Sequence, residues 1–209
     1  MIDRFLMPVQ KALRAPLARA LVAFGATADR ISVAGFILGL LAFGCLALGW
    51  FTAGLVLIAA NRFADGLDGA VARLTGPTDR GAFVDIAFDF VFYALVPLGF
   101  ALASPASNAL PAALLITAFV GTGSSFLAYA TIAAKRGLVA EAHPSKGIYY
   151  LGGLTEGFET IAVFVLMCLW PLAFPWLAIL YAALCAVTTV TRWHQGWVGF
   201  SPDGADAQK

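Results

Sequence analysis

Six windows of about twenty mainly apolar residues recur along the 209-residue chain, at 31–50, 52–73, 81–103, 109–134, 157–172 and 174–193. About 20 such residues are what an α-helix needs to cross the ~30 Å hydrocarbon core of a bilayer. The composition points the same way: 61% of residues are hydrophobic and 12% charged, against about 45–50% and about 25% in soluble domains. The expected fold is an all-α polytopic membrane protein. It has six transmembrane helices and an N-terminal amphipathic helix lying at the membrane interface. A net charge of +1 gives no electrostatic footprint for nucleic acid.

The basic residues set the expected orientation. The turns at 50–52, 104–108 and 173–175 hold no charged residue, whereas Arg30, Arg73, Arg80, Lys135, Arg136, Lys146 and Arg192 gather at the other side. The positive-inside rule puts that side, both termini included, in the cytoplasm, as for a protein of a bacterial inner membrane. Residues 1–30 read as the interfacial arm, 31–195 as the six-helix membrane domain and 196–209 as a short polar tail. In the arm, Phe5, Leu6, Val9, Leu13, Leu17 and Phe24 share one side of a helix, and Arg4, Lys11, Arg14 and Arg19 the other. The three cysteines, Cys45, Cys168 and Cys185, fall in apolar runs without metal-ligand spacing and read as packing thiols. His143 and His194 lack a second histidine at ligand spacing.

Four aspartates sit inside two of the apolar windows: Asp65 and Asp68 in one, Asp85 and Asp89 in the next. Each ionised carboxylate at a helix centre costs at least ~2.5–3.5 kcal/mol on insertion scales. Asp65 and Asp68 are three apart, and Asp85 and Asp89 four apart, so each pair shares a helical face. The two helices are antiparallel and joined by residues 74–80. Asp65 and Asp89 each lie eight residues from the neighbouring helix ends, about 12 Å deep at 1.5 Å per residue, and Asp68 and Asp85 about 6–8 Å deep. The four carboxylates can therefore meet. Four gathered anions need cations. Arg62 and Arg73 could supply a structural ion-pair network. Hard oxygen ligands without nearby His or Cys instead suit Mg2+ or Mn2+, and four suit two ions, the arrangement that clamps attacking and leaving oxygens in phosphoryl transfer. Gly69, Ala72 and Gly81 lie on the same faces, serving either substrate approach or close helix packing.

The pattern D-x2-D-G-x2-A-R, a spacer, then G-x3-D-x3-D is filled by Asp65, Asp68, Gly69, Ala72, Arg73, Gly81, Asp85 and Asp89. It resembles the signature of the CDP-alcohol phosphotransferase (CDP-alcohol phosphatidyltransferase) family. The spacer is seven residues here, one fewer than usual in that family. The resemblance implies metal-dependent transfer of a substituted phosphoryl group from a CDP-alcohol, in bacteria most often CDP-diacylglycerol, to a small alcohol acceptor, with release of CMP. It implies metal ligation by Asp65, Asp68 and Asp85. Asp89 is implied as the general base, also close to a metal. Residues Gly69, Ala72, Arg73 and Gly81 are implied around the CDP moiety, and a homodimer as the assembly.

The motif does not name the acceptor. Lys135, Lys146 and Arg192 are candidates to hold a phosphorylated alcohol, or simply follow positive-inside topology. Glu156, with Glu159, could face a cationic acceptor or cap the helix that starts there. Two other classes use intramembrane carboxylates. Prenyltransferases bind Mg-diphosphate through aspartate motifs, but typically in longer chains with the motifs far apart. Cation or proton transporters are expected to place charged or broken helices in both halves.

Overall fold

The computed structural model describes residues 14–137 and 154–201, and they are all helical or in short connections. Seven α-helices follow in order: α1 at residues 14–23, then α2 (Ala28–Ala47), α3 (Phe51–Thr75), α4 (Asp79–Ala103), α5 (Pro105–Lys135), α6 (Gly157–Leu169) and α7 (Phe174–Gly199). A single 3-10 turn, Pro171–Ala173, links the last two.

The six expected spans are corrected to four. Among the described residues, four segments are long and apolar enough to cross a membrane: α2, α4, α5, and α7 with its preceding turn. The window at 52–73 forms α3, but Arg62, Asp65 and Asp68 fall within any 18 consecutive residues of that helix. Its polar load is too high for a span of its own. The window at 157–172 yields a helix of 13 residues, about 20 Å at 1.5 Å per residue and short of the hydrocarbon thickness.

Helix boundaries follow local chemistry. Thr27 caps α2 by accepting from the Arg30 amide at 3.4 Å. Thr78 caps α4 by accepting from the Gly81 amide at 3.0 Å, with Asp79 in the first turn. Both satisfy amides that have no partner within the helix, and the acids favour the positive helix end. Gly76 stops α3 at φ 97°, a left-handed conformation that glycine adopts without strain. Three residues, 76–78, thus separate α3 from α4 and force the two acid-bearing helices into an antiparallel pair.

Small residues set how closely the helices approach. A Cβ on Gly39 of α2 would stand 2.9 Å from the Phe92 ring of α4 and 3.3 Å from Asn61 Nδ2 of α3. One turn earlier, a Cβ on Gly35 would meet the Ala64 Cβ at 3.2 Å. This Gly-x3-Gly stripe lets α3 and α4 seat against α2, the packing mode that replaces the hydrophobic effect between helices in lipid. Below it, Phe51, Phe100 and Phe174 stack with centroid separations of 5.1 and 4.5 Å. Cys168 and Cys185 are buried free thiols and Cys45 is a half-buried one, in line with a packing role.

The outer surface is apolar, with Leu110, Val120, Leu172 and Leu180 all more than 60% exposed. Its tryptophans fall at two levels. Trp50, Trp170 and Trp176 lie at the end opposite the acidic residues, and Trp193 and Trp197 at the same end. Two such belts mark the two faces of a bilayer. In α1, Ala18 is fully buried against Leu67 and Val71 of α3, while Leu17 and, in the turn just after the helix, Phe24 stay exposed. Phe5, Leu6, Val9 and Leu13 lie outside the described residues. Helix α2 begins three residues ahead of the window at 31, and α7 continues to Gly199, into the expected tail.

Candidate metal and substrate centre

Three helices, not two, wall the acidic cleft. Asp65 and Asp68 come from α3, Asp85 and Asp89 from α4, and Ser32, Gly35 and Phe36 from α2. The cleft is partly open to its surroundings rather than an enclosed cavity. Phe36 and Phe88 stack at 4.2 Å and an interplanar angle of 16°, giving the cleft an apolar wall between α2 and α4.

Asp65, Asp85 and Asp89 each present a carboxylate oxygen within 4.8 Å of the other two. Oxygens on opposite sides of a Mg2+ stand about 4.2 Å apart at 2.1 Å per bond. A small rotation of the carboxylates therefore closes the set on one divalent ion, and all-oxygen donors are the chemistry such an ion prefers. Asp68 lines the same cleft but is buried, and it accepts a hydrogen bond from Ser32 Oγ at 2.5 Å. It stands beside the three-oxygen set rather than within it.

Arg62 reaches into this group. Its Nη1 lies 2.9 Å from Asp89 Oδ1 and 3.8 Å from Asp65 Oδ1. Its Nε donates to Asn61 Oδ1 at 2.7 Å, and Asn61 Nδ2 donates to the Gly35 carbonyl at 2.8 Å. The guanidinium carbon sits 4.4 Å from the centre of the Phe92 ring and 5.6 Å from that of Tyr93. The ion pairing foreseen for Arg62 thus exists, directed at two of the four acids. Arg73 is exposed in the last turn of α3, with Nη1 3.4 Å from where a Gly69 Cβ would stand. Gly81 is packed against the α4 cap: its Cβ would lie 3.1 Å from Thr78 Oγ1 and 3.3 Å from Asp29 Oδ1. Ala72 is half-buried one turn from Asp68.

The described acceptor candidates do not line this cleft. Arg192 is buried, and its Nη1 donates to the Thr122 carbonyl at 3.0 Å, bracing α7 against α5, with Phe126 5.6 Å away. Lys135 is exposed at the end of α5. Glu156 is the N-cap of α6, where its amide donates to Glu159 Oε2 at 3.3 Å in a capping box. Lys146 lies outside the described residues. Sequence reasoning missed Ser32, Gly35 and Phe36, which sit in an uninterrupted apolar window. It also passed over Asn61, whose polar side chain just before Arg62 was the available signal.

A family model described as CDP-alcohol phosphatidyltransferase matches residues 26–193, more than three quarters of the chain. The chain belongs to that family. It is an enzyme of phosphatidyl transfer from a CDP-alcohol donor, held in the membrane as an integral multi-pass protein. It is 52% identical over 198 residues to the inner membrane protein YnjF of Escherichia coli (strain K12), covering 95% of this chain and 96% of that one. Its fold is similar to that of the phosphatidylinositol phosphate synthase PgsA1 of Mycobacterium tuberculosis. With CDP-DAG bound, that structure gives a TM-score of 0.68 at 24% identity, over 92% of this chain and 96% of the other. In complex with manganese and citrate the TM-score is 0.67 at 23% identity, over 91% of each chain.

Proposed function

We propose that the protein transfers the phosphatidyl group of CDP-diacylglycerol to the hydroxyl of a small alcohol, with Mg2+ or Mn2+ in the acidic cleft. The observation that carries this reading is the convergence of Asp65, Asp85 and Asp89 within 4.8 Å on antiparallel helices. The binding of CDP-DAG and of manganese by the M. tuberculosis synthase is consistent with it. Asp65, Asp85 and Asp89 would hold the metal, with Asp68 completing a four-carboxylate set for two ions. When bound, the metal neutralises the diphosphate and stabilises the departing CMP.

The residues of the chain divide the remaining work. Asp89 accepts the proton of the acceptor hydroxyl as its oxygen attacks the lipid-linked phosphorus. The P–O bond to CMP breaks and the phosphatidyl group moves to the acceptor oxygen. Gly69 and Ala72 present no bulk beside α3, so a nucleotide can lie against the helix, with Arg73 and Gly81 flanking it at the helix ends. The Ser32 hydroxyl, donating to Asp68, fixes that carboxylate toward the cleft. The cleft opens at the cytoplasmic side in this reading, since the basic helix ends cluster there, and α1 lies at that interface. The diacyl tails stay in lipid between helices. Lys135, Lys146, Glu156 and Arg192 remain acceptor candidates only in this proposal, and a homodimer its assembly.

The test is an acceptor screen. Purified protein is supplied with labelled CDP-diacylglycerol and a panel of polyols, phosphorylated polyols and amino-alcohols, and lipid products are identified. One acceptor class is expected to give a new labelled phospholipid with equimolar CMP. No labelled product with any acceptor, from protein that is folded and metal-loaded, would count against the donor assignment.

A further inference from the structure

We propose that Arg62 sets the metal affinity of the acidic cleft: a resident cation that offsets the carboxylate charge there and competes with the divalent ion for Asp89 and Asp65. The family signature places no residue at this position, three before its first aspartate. The proposal rests on the metal reading above and adds to it a determinant of how tightly the ion is held.

The geometry is that of a fixed group, not a surface arginine. The side chain is only 16% exposed. One nitrogen reaches both Asp89 and Asp65, at 2.9 and 3.8 Å. The Nε is anchored by Asn61, which is itself anchored to the α2 backbone. The Phe92 face lies 4.4 Å from the guanidinium carbon, a cation–π contact that holds the charge in place. Gly39 leaves the space that both holders occupy, since a Cβ there would press on Phe92 and Asn61 together.

Two consequences follow from charge. Without Arg62, carboxylates gathered within 4.8 Å repel one another in a partly desolvated cleft. With it, one positive charge touches two of the three oxygen donors that a metal would share. Asn61 and Phe92 prevent the guanidinium from swinging away, so an arriving ion must bind beside it. Its affinity is lowered by the repulsion of a neighbouring cation and by the partial occupation of two ligands.

The experiment is Mn2+ binding to the full chain in detergent, followed by the electron paramagnetic resonance signal of free Mn2+. Wild type is compared with Arg62→Met and Arg62→Gln, which remove the charge, and with Arg62→Lys, which keeps it. The neutral variants are expected to bind Mn2+ at least tenfold more tightly than wild type, and Arg62→Lys within about threefold of it. A merely structural arginine predicts the opposite sign, because loss of a buried anchor loosens the ligand set. Neutral variants of native helical content that bind Mn2+ as wild type does, or more weakly, overturn the proposal. So does failure of both to fold with Mn2+ present, which would assign Arg62 to the fold alone. Wild-type protein that takes up no Mn2+ contradicts the metal reading itself, a result distinct from either.

Discussion

Replacing Asp89 with asparagine is expected to lower phosphatidyl transfer at least about a thousandfold while leaving CDP-diacylglycerol binding measurable at saturating Mg2+. General-base catalysis contributes typically about 10²–10⁴ in rate. Asparagine keeps the shape of the side chain but cannot accept the acceptor's proton. Its carbonyl can still accept from Arg62 Nη1, now 2.9 Å from Asp89 Oδ1, so the α3–α4 contact persists. The proposed nucleotide contacts at Gly69, Ala72 and Arg73 lie on α3 and are untouched. Labelled CMP release and equilibrium binding of the CDP-lipid measure the two quantities separately. Wild-type turnover in the variant would remove Asp89 from the role of base.

Asp65→Asn is expected to weaken Mn2+ binding on the order of a hundredfold and to reduce turnover with it. A unit charge about 4 Å from a divalent ion interacts by roughly 8 kcal/mol at an effective dielectric of 20. The Asp65 side chain is 35% exposed, so solvent screens part of this. A third of the figure, about 2.7 kcal/mol, already corresponds to roughly a hundredfold in affinity. The same substitution also frees Arg62 from its weaker partner, which concentrates the guanidinium on Asp89. Unchanged Mn2+ affinity in folded Asp65→Asn would place the ion elsewhere.

The acidic cleft was legible in the sequence because helical spacing is local information. Asp65 and Asp68 at three, Asp85 and Asp89 at four, and a short connection between their helices fix two facing acid pairs. Apolar windows located most helices to within a few residues: 81–103 became Asp79–Ala103, and 52–73 became Phe51–Thr75. Length and apolarity alone overcounted the spans, since charge at Arg62, Asp65 and Asp68 and the shortness of α6 take two windows out of that class. What periodicity cannot convey is which third helix closes a site. Ser32 reaches Asp68 across 36 residues of chain, and Asn61 reaches Gly35 across 26. Such contacts depend on how helices rotate against each other, which the Gly35–Gly39 stripe governs. Arg192 shows the converse: a cation near the end of its apolar window reads as an acceptor-binding or positive-inside charge, yet it is buried against the α5 backbone.

The most direct test of the central claim is CMP release by the purified protein from labelled CDP-diacylglycerol with an alcohol mixture, in Mg2+ and in excess EDTA. The expected result is release in Mg2+, its loss in EDTA, and its return when Mg2+ or Mn2+ is restored. Release that proceeds equally in EDTA would contradict a metal-dependent reaction at Asp65, Asp85 and Asp89.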